Sequence, residues 1–152
     1  MTPQQQLRHL RQANAVAIAA LQAGHHPFGA LLVAPDGDTV LQQQGNVDSV
    51  NHAEAVLARE AARLHGSALL WDCTLVTTVE PCAMCAGTIY WAGIRAVVYG
   101  LSSEELAVIA GPDFLVPCRE LFARAIDTVV VKGPLLLDDA RAVHEGFWTR
   151  KL

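Results

Sequence analysis

Apolar residues recur along this chain in two alternating rhythms. From Gln4 to Gln22, Leu7, Leu10, Val16, Ile18 and Leu21 stand in an Ala-rich background, which predicts an amphipathic helix stopped by Gly24. Phe28 to Val33 is a short apolar run. The turn sequence Pro35-Asp36-Gly37-Asp38 separates it from a second strand over Thr39 to Gln44, so the pair predicts a hairpin. After a polar loop from Gly45 to Asn51, Ala53 to Leu64 predicts a helix ended by Gly66. Cys73 to Val79 is rich in β-branched residues and predicts a buried strand. Pro81 suits the first position of a helix running to about Ala92, with Gly93 as its stop. Arg95 to Tyr99 is the next strand, closed by Gly100. Ser102 to Val108 reads as a short helix, Gly111 to Pro117 as a loop and Cys118 to Arg124 as a helical turn. Thr128 to Val131 is the last strand and Leu136 to Trp148 the last helix. Strands alternating with helices predict an α/β layered sheet, and the opening hairpin makes that sheet mixed.

No repeat, linker or low-complexity block divides the 152 residues, so a single domain over 1–152 is expected. With 52% hydrophobic and 17% charged residues, a core forms without disulfide support. No apolar run reaches the roughly 18 residues of a membrane span, and the Gln-rich stretch Met1 to Arg11 lacks the apolar segment of a secretory signal. A cytoplasmic protein with no membrane partner is expected. Eleven Lys and Arg face 15 Asp and Glu, for a net charge of -4. Phosphate contacts need clustered cations, so nucleic acid is not the expected partner. Of the four cysteines, Cys82 and Cys85 are three apart while Cys73 and Cys118 stand alone, which favours metal or catalytic use over a disulfide framework.

Two segments carry chemistry: His52-Ala53-Glu54 and Pro81-Cys82-Ala83-Met84-Cys85, each opening a predicted helix. Cys82 and Cys85 lie one helical turn apart, so both sulfurs reach one ion, and a helix N-terminus favours thiolate. His52 adds imidazole. Three protein ligands are one short of a closed structural site and leave the fourth position to water, which predicts one catalytic Zn²⁺ per chain. Glu54, two residues beyond His52, stands near the metal without having to bind it. It is placed to take a proton from water and pass it to a substrate.

A lone Cys-x-x-Cys would equally suit a redox pair or half a zinc knuckle. Here His-x-Glu, Pro-Cys-x-x-Cys and the preceding strand occur together, which is the signature of zinc deaminases. From about Gly24 to Gly100 the chain resembles the cytidine and nucleobase deaminase superfamily. The resemblance implies a three-layer α/β/α sandwich around a five-stranded mixed sheet, and hydrolytic removal of an exocyclic amine. Pro27-Phe28-Gly29-Ala30, Ile89-Tyr90-Trp91-Ala92-Gly93-Ile94 and Val98-Tyr99-Gly100 look most like bacterial guanine deaminases and their base-deaminase relatives. It further implies that Phe28 borders the base, Asn46 hydrogen-bonds it, and Asp113, paired with Phe114, assists recognition or proton transfer. Phe147-Trp148 would close a neighbouring subunit's site in a swapped dimer. Five residues separate Asn46 from His52, a shorter loop than such relatives carry.

The expected substrate is a small aminated base, guanine first, then cytosine or another small ring. A tRNA adenosine deaminase is the alternative. The acidic balance and the modest C-terminal charge of Arg150 and Lys151 argue against it, and the segment after Gly100 is rich in Leu and Glu. A non-catalytic zinc-stabilised module is opposed by Glu54 and by the count of three ligands. A homodimer is expected, with Ile89, Tyr90, Trp91 and Phe147 as interface candidates. Cys73 reads as a buried strand residue and Cys118 as structural. His9, His65 and His144 read as solvent-facing on helices, and His25 and His26 as surface residues. Phe28 suits pocket or core alike, and Asp113 a loop acid or a functional one. Asp138 and Asp139 read as capping and dipole residues.

Overall fold

The computed structural model describes residues 1–148, so Arg150 and Lys151 lie outside it. Twelve elements follow in order among the described residues: α1 (Pro3–Gln22), β1 (Gly29–Val33), β2 (Val40–Gly45), α2 (Ala53–Leu64), α3 (Ser67–Asp72), β3 (Thr74–Val79), α4 (Ala83–Ala92), β4 (Ala96–Leu101), α5 (Ser103–Ala110), α6 (Cys118–Phe122), β5 (Val130–Lys132) and α7 (Leu137–His144). The strands form one sheet in the order β2-β1-β3-β4-β5. The expected hairpin is present as antiparallel β1 and β2, β1 also runs antiparallel to β3, and β3, β4 and β5 are parallel. The five-stranded mixed sheet expected from the sequence is the sheet observed.

Side chains alternate across the pleat. Ala30, Leu32, Leu75, Val97 and Tyr99 face one layer, packing with Leu57, Ala61, Ala86 and Ile89 of α2 and α4. Leu31, Val33, Val76 and Val98 face the other, against Leu10 and Ala13 of α1. A sheet covered on both faces explains why β1 is buried at every position and β3 at all but its first.

The α1 prediction holds in span, but its buried face differs. Leu10, Ala13, Ala17 and Ala20 are buried, whereas Ile18 is exposed. The reason is close packing at β1: a Cβ on Gly29 would stand 2.4 Å from the Ala13 carbonyl oxygen and 2.7 Å from the Ala17 nitrogen. Small residues on both sides let the two backbones approach, while Leu10 packs beyond the contact and Ile18 is turned outward.

Other expectations are corrected. His9 and His144 are buried, not solvent-facing, and His65 is half-buried. The His9 ring bonds the Gly37 carbonyl at 2.9 Å, and His144 lies under an aromatic cluster. Ile89 cannot serve an interface because it is in the core. Pro81 precedes the helix instead of opening it, since the extended Cys82 is the N-cap of α4. α3 was not foreseen: Ser67–Asp72 is too short for its apolar positions to show a period. α7 ends at His144, where extended Glu145 and left-handed Gly146 break it before Phe147 and Trp148. Asp138 and Asp139 occupy its first turn, but no side chain caps it. Among the described residues no helix is long and apolar enough to cross a membrane.

Candidate metal centre and active site

The site forms where α2 and α4 begin, on the helix face of β3. His52 is the N-cap of α2 and Cys82 the N-cap of α4, and neither side chain makes a cap bond. Both are therefore free to turn toward each other. Cys85 follows in the first turn of α4, buried under the sheet. The His52 Nδ1 stands 3.6 Å from the Cys82 Sγ and 3.6 Å from the Cys85 Sγ. A tetrahedral zinc with bonds of about 2.3 Å to sulfur and about 2.0–2.1 Å to nitrogen sets such atoms about 3.5–3.6 Å apart. The residues present therefore fit a zinc ion, and this is the group of three His, Cys and acidic residues able to hold a metal among the described residues. Cys73 is buried in the core, apart from it.

The hydrogen bond on the far side of the ring fixes which nitrogen faces the sulfurs. His52 Nε2 lies 3.1 Å from the Ser49 carbonyl oxygen. A carbonyl only accepts, so Nε2 carries the proton and Nδ1 offers its lone pair to a metal. Ser49 was not foreseen, because a main-chain carbonyl leaves no trace in residue type. The Cys85 thiol beside it holds the Cys82 thiol far below its ordinary range, at about 4, and the His52 ring adds to the effect. The same bond pushes the Cys85 thiol up, with burial acting in the same direction. The hydrogen bond to Cys82 pushes the His52 ring up.

Glu54, in the first turn of α2, is 5% exposed. Its Oε2 is 3.7 Å from the Cys85 Sγ, and its Oε1 accepts from the Thr77 hydroxyl at 2.8 Å. Burial pushes its carboxyl above the usual carboxylate range. A carboxyl moved toward neutral pH beside a metal centre suits proton transfer in both directions. Thr77 was also not singled out in the sequence. Its signal was slight, a hydroxyl in a buried strand that also holds Thr74 and Thr78, where a buried polar group must find a partner.

Asn46 is buried at the end of β2, and its backbone N–H donates to the Phe28 carbonyl at 3.0 Å. Its side-chain nitrogen donates to the Asp48 carbonyl at 3.1 Å, while its Oδ1 is buried with no partner among the described residues. Phe28 is half-buried, its ring centroid 5.2 Å from that of His144 and 6.3 Å from that of Trp148. The Trp148 indole stacks on its own chain's His144, 8° from parallel, and donates to His144 Nδ1 at 3.1 Å. The aromatic end of the chain thus covers Phe28 of the same chain here. Asp113 sits apart, exposed in the loop between α5 and α6, where its carboxylate accepts from the Phe114 amide at 2.8 Å. Among the described residues no hydrogen bond joins it to the metal group.

Residues 3–101 match the family model of the cytidine and deoxycytidylate deaminase zinc-binding region. A probable cytosine deaminase of Schizosaccharomyces pombe is 36% identical over 151 residues, covering 93% of this chain and 91% of the relative. A tRNA-specific adenosine deaminase of Streptococcus pyogenes is 33% identical over 107 residues, 67% of this chain and 66% of the relative. Among solved structures, a guanine deaminase from Nitrosomonas europaea superposes with a TM-score of 0.75 at 25% identity, covering 92% of this chain and 82% of that one.

Proposed function

Because the chain belongs to the zinc-binding cytidine and deoxycytidylate deaminase family, we propose that it removes the exocyclic amine from a free nucleobase, guanine first. The class is a hydrolysis at a C–N bond: water is consumed, C–NH₂ becomes C=O, and ammonia leaves. In this reading His52, Cys82 and Cys85 would hold the zinc, which would lower the pKa of water from 15.7 to as little as about 7 and so make hydroxide available at neutral pH. Glu54 carries the first proton of the attacking water to a ring nitrogen, then carries the proton of the added hydroxyl to the amine, which departs as ammonia while the carbonyl forms. Thr77 keeps the carboxyl aimed, and Ser49 keeps His52 in the tautomer that binds.

The observation that carries the free-base reading is the buried, unpartnered Oδ1 of Asn46, one main-chain hydrogen bond from Phe28. An orphaned acceptor in a dry place is costly unless a ligand's N–H meets it. Phe28 borders the ring, and Asp113 adds a carboxylate for recognition or proton transfer. An amide oxygen and a carboxylate both accept, which suits a base as rich in N–H groups as guanine. The reading of cytosine is favoured by one observation, the nearly end-to-end match to the Schizosaccharomyces pombe relative. A tRNA substrate is disfavoured by the excess of acids over Lys and Arg, 15 against 11.

Ammonia release decides among these. The panel is guanine, cytosine, adenine, their nucleosides, aminated triazines and pterins, with an adenosine-containing anticodon hairpin alongside. Guanine is expected to turn over fastest and the hairpin not at all. Activity on cytosine alone would keep the class and refute the purine. Inosine in the hairpin with guanine inert would overturn the free-base reading.

The same reading includes a homodimer. Trp91 is 85% exposed beside a groove between α2 and α4 that also holds Met84, Ala62 and Gly87. An exposed Trp beside a groove flanked by Arg59 and Arg63 suits a contact face, and a second copy is the partner assigned to it. Light scattering at micromolar concentration is expected to give a dimer, and Trp91→Glu a monomer. A monomeric wild type would refute the assembly.

A further inference from the structure

Glu80 directly precedes Pro81 and the metal-site cysteines, and the reading above leaves it without a role. It is 6% exposed, yet it is fully engaged. Its Oε2 accepts from the Ser103 amide at 3.0 Å and the Ser103 hydroxyl at 2.9 Å. Its Oε1 accepts from the Cys118 amide at 2.9 Å, and its own N–H donates to the Leu101 carbonyl at 2.8 Å. Ser103 opens α5 and Cys118 opens α6. One carboxylate therefore holds both ends of the segment that contains the 111–117 loop.

The packing shows how much depends on this hold. α5 has no buried residue, and Val108 within it is 82% exposed. The Ser102 capping box starts that helix, and its Glu105 reaches Arg141 of α7 only at 3.9 Å. Positions 111–115 are exposed throughout. α6 is better secured, with Phe122 in the core and the Arg119 guanidinium donating to the Tyr99 hydroxyl at 2.8 Å. Leu106 and Ile109 rest part-buried on Val79, Leu101 and Ala140, a shallow apolar contact that does not extend to the exposed stretch 111–115. Hydrogen bonds to a charged acceptor, which are the strong kind, add to that hold.

We propose that Glu80 is a positioning residue: its carboxylate locks α5 and the 111–117 loop, with Asp113, to the backbone that presents Cys82 and Cys85. The link to turnover rests on the reading above that Asp113 meets the substrate. The clasp itself does not. Its consequence is that loop and metal site move as one body, so the base approaches an ion whose distance from Asp113 is set in advance.

The test compares wild type, Glu80→Gln and Ser103→Ala in three measurements: zinc content, hydrogen exchange by peptide, and steady-state kinetics on whichever base the wild type turns over. In Glu80→Gln, zinc is expected to stay at the wild-type ratio. Exchange should rise roughly tenfold over 103–115 and less over α6, with α1 unchanged. KM should rise roughly tenfold while kcat falls by less than about threefold, the scale of losing charged hydrogen bonds to two amides and a hydroxyl. Ser103→Ala, which removes the hydroxyl alone, should shift exchange and KM the same way by a smaller factor. It decides the matter should Glu80→Gln not fold. Unchanged exchange over 103–115 in the folded variant would overturn the clasp. Loss of zinc with unchanged KM in the remaining loaded enzyme would overturn the coupling and leave Glu80 acting through the cysteines alone. A wild type inert on every base would refute the substrate reading by itself, while the exchange data would still decide the clasp.

Discussion

Glu54→Gln is expected to lower kcat by at least 10²–10⁴, the range for losing a general acid or base, while fold and zinc content stay as they were. The substitution keeps shape. The Gln carbonyl oxygen can still accept from Thr77, which donates to Glu54 Oε1 at 2.8 Å, and the amide nitrogen can donate to the Cys85 sulfur that lies 3.7 Å from Oε2. What it cannot do is take up a proton and release it. A hydrolytic deamination needs that twice, once to activate water and once to let the amine depart as ammonia, so one residue serves successive transfers and its loss is not bounded by a single step. Burial, which pushes the Glu54 carboxyl up, brings its proton affinity closer to working pH, where a shuttle is most effective. The check is a single-turnover rate on the preferred base beside zinc analysis and a melting curve. A variant that kept more than about a tenth of the wild-type rate would remove Glu54 from the proposed role, since a general acid or base is worth more than that.

The sequence made the ligand set legible because that chemistry is tied to residue type and short spacing. His52 and Cys82 are helix N-caps, Cys85 sits one turn further, and these local positions survive whatever the rest of the chain does. The layered mixed sheet was legible for a similar reason: β1 and β3 are covered on both faces, so β1 is built of small and apolar residues and β3 is rich in β-branched ones. What stayed hidden depends on contacts distant in the chain. Thr77 meets Glu54 across 23 positions and Glu80 reaches Cys118 across 38, and neither pairing leaves a periodic mark. The burial of His9 and His144 was missed because a helical wheel cannot say which polar residues another element will cover. In α1 Ile18 misled and the alanines were informative, since close approach to Gly29 selects small side chains where the usual apolar stripe would hold large ones. Asp113 is the reverse case. Its neighbour Phe114 gave it a role by resemblance, yet it stands exposed on its loop and bonds only that neighbour's amide.

Stripping zinc is expected to abolish turnover, and returning one zinc per chain to restore it, with an affinity that rises as pH rises. The sign follows from the protons that the ligands hold. Both cysteines must bind as thiolates and His52 through a bare Nδ1. Cys82 is already held low, at about 4, so it brings no proton to be displaced near neutrality. Cys85 is pushed up and keeps its proton in the metal-free chain, so the ion must displace it. His52 is raised by the same Cys82 and gives up a second proton wherever it is still charged. Zinc binding is therefore proton release. The apparent affinity should rise about tenfold per pH unit where one proton leaves, and more steeply at lower pH where the imidazolium also ionises. Competition with a chelator at pH 6, 7 and 8 measures this directly, with correction for the chelator's own protonation. Cys85→Ser should lose most of the bound zinc and turnover together, because a hydroxyl is a poor substitute for thiolate at this ion. Melting should also fall toward that of the stripped protein, since the ion joins the starts of α2 and α4, whose ligands His52 and Cys82 are 30 positions apart in the chain. An affinity flat from pH 6 to 8, or full activity in the stripped protein, would refute a two-thiolate, one-imidazole centre as the source of the chemistry.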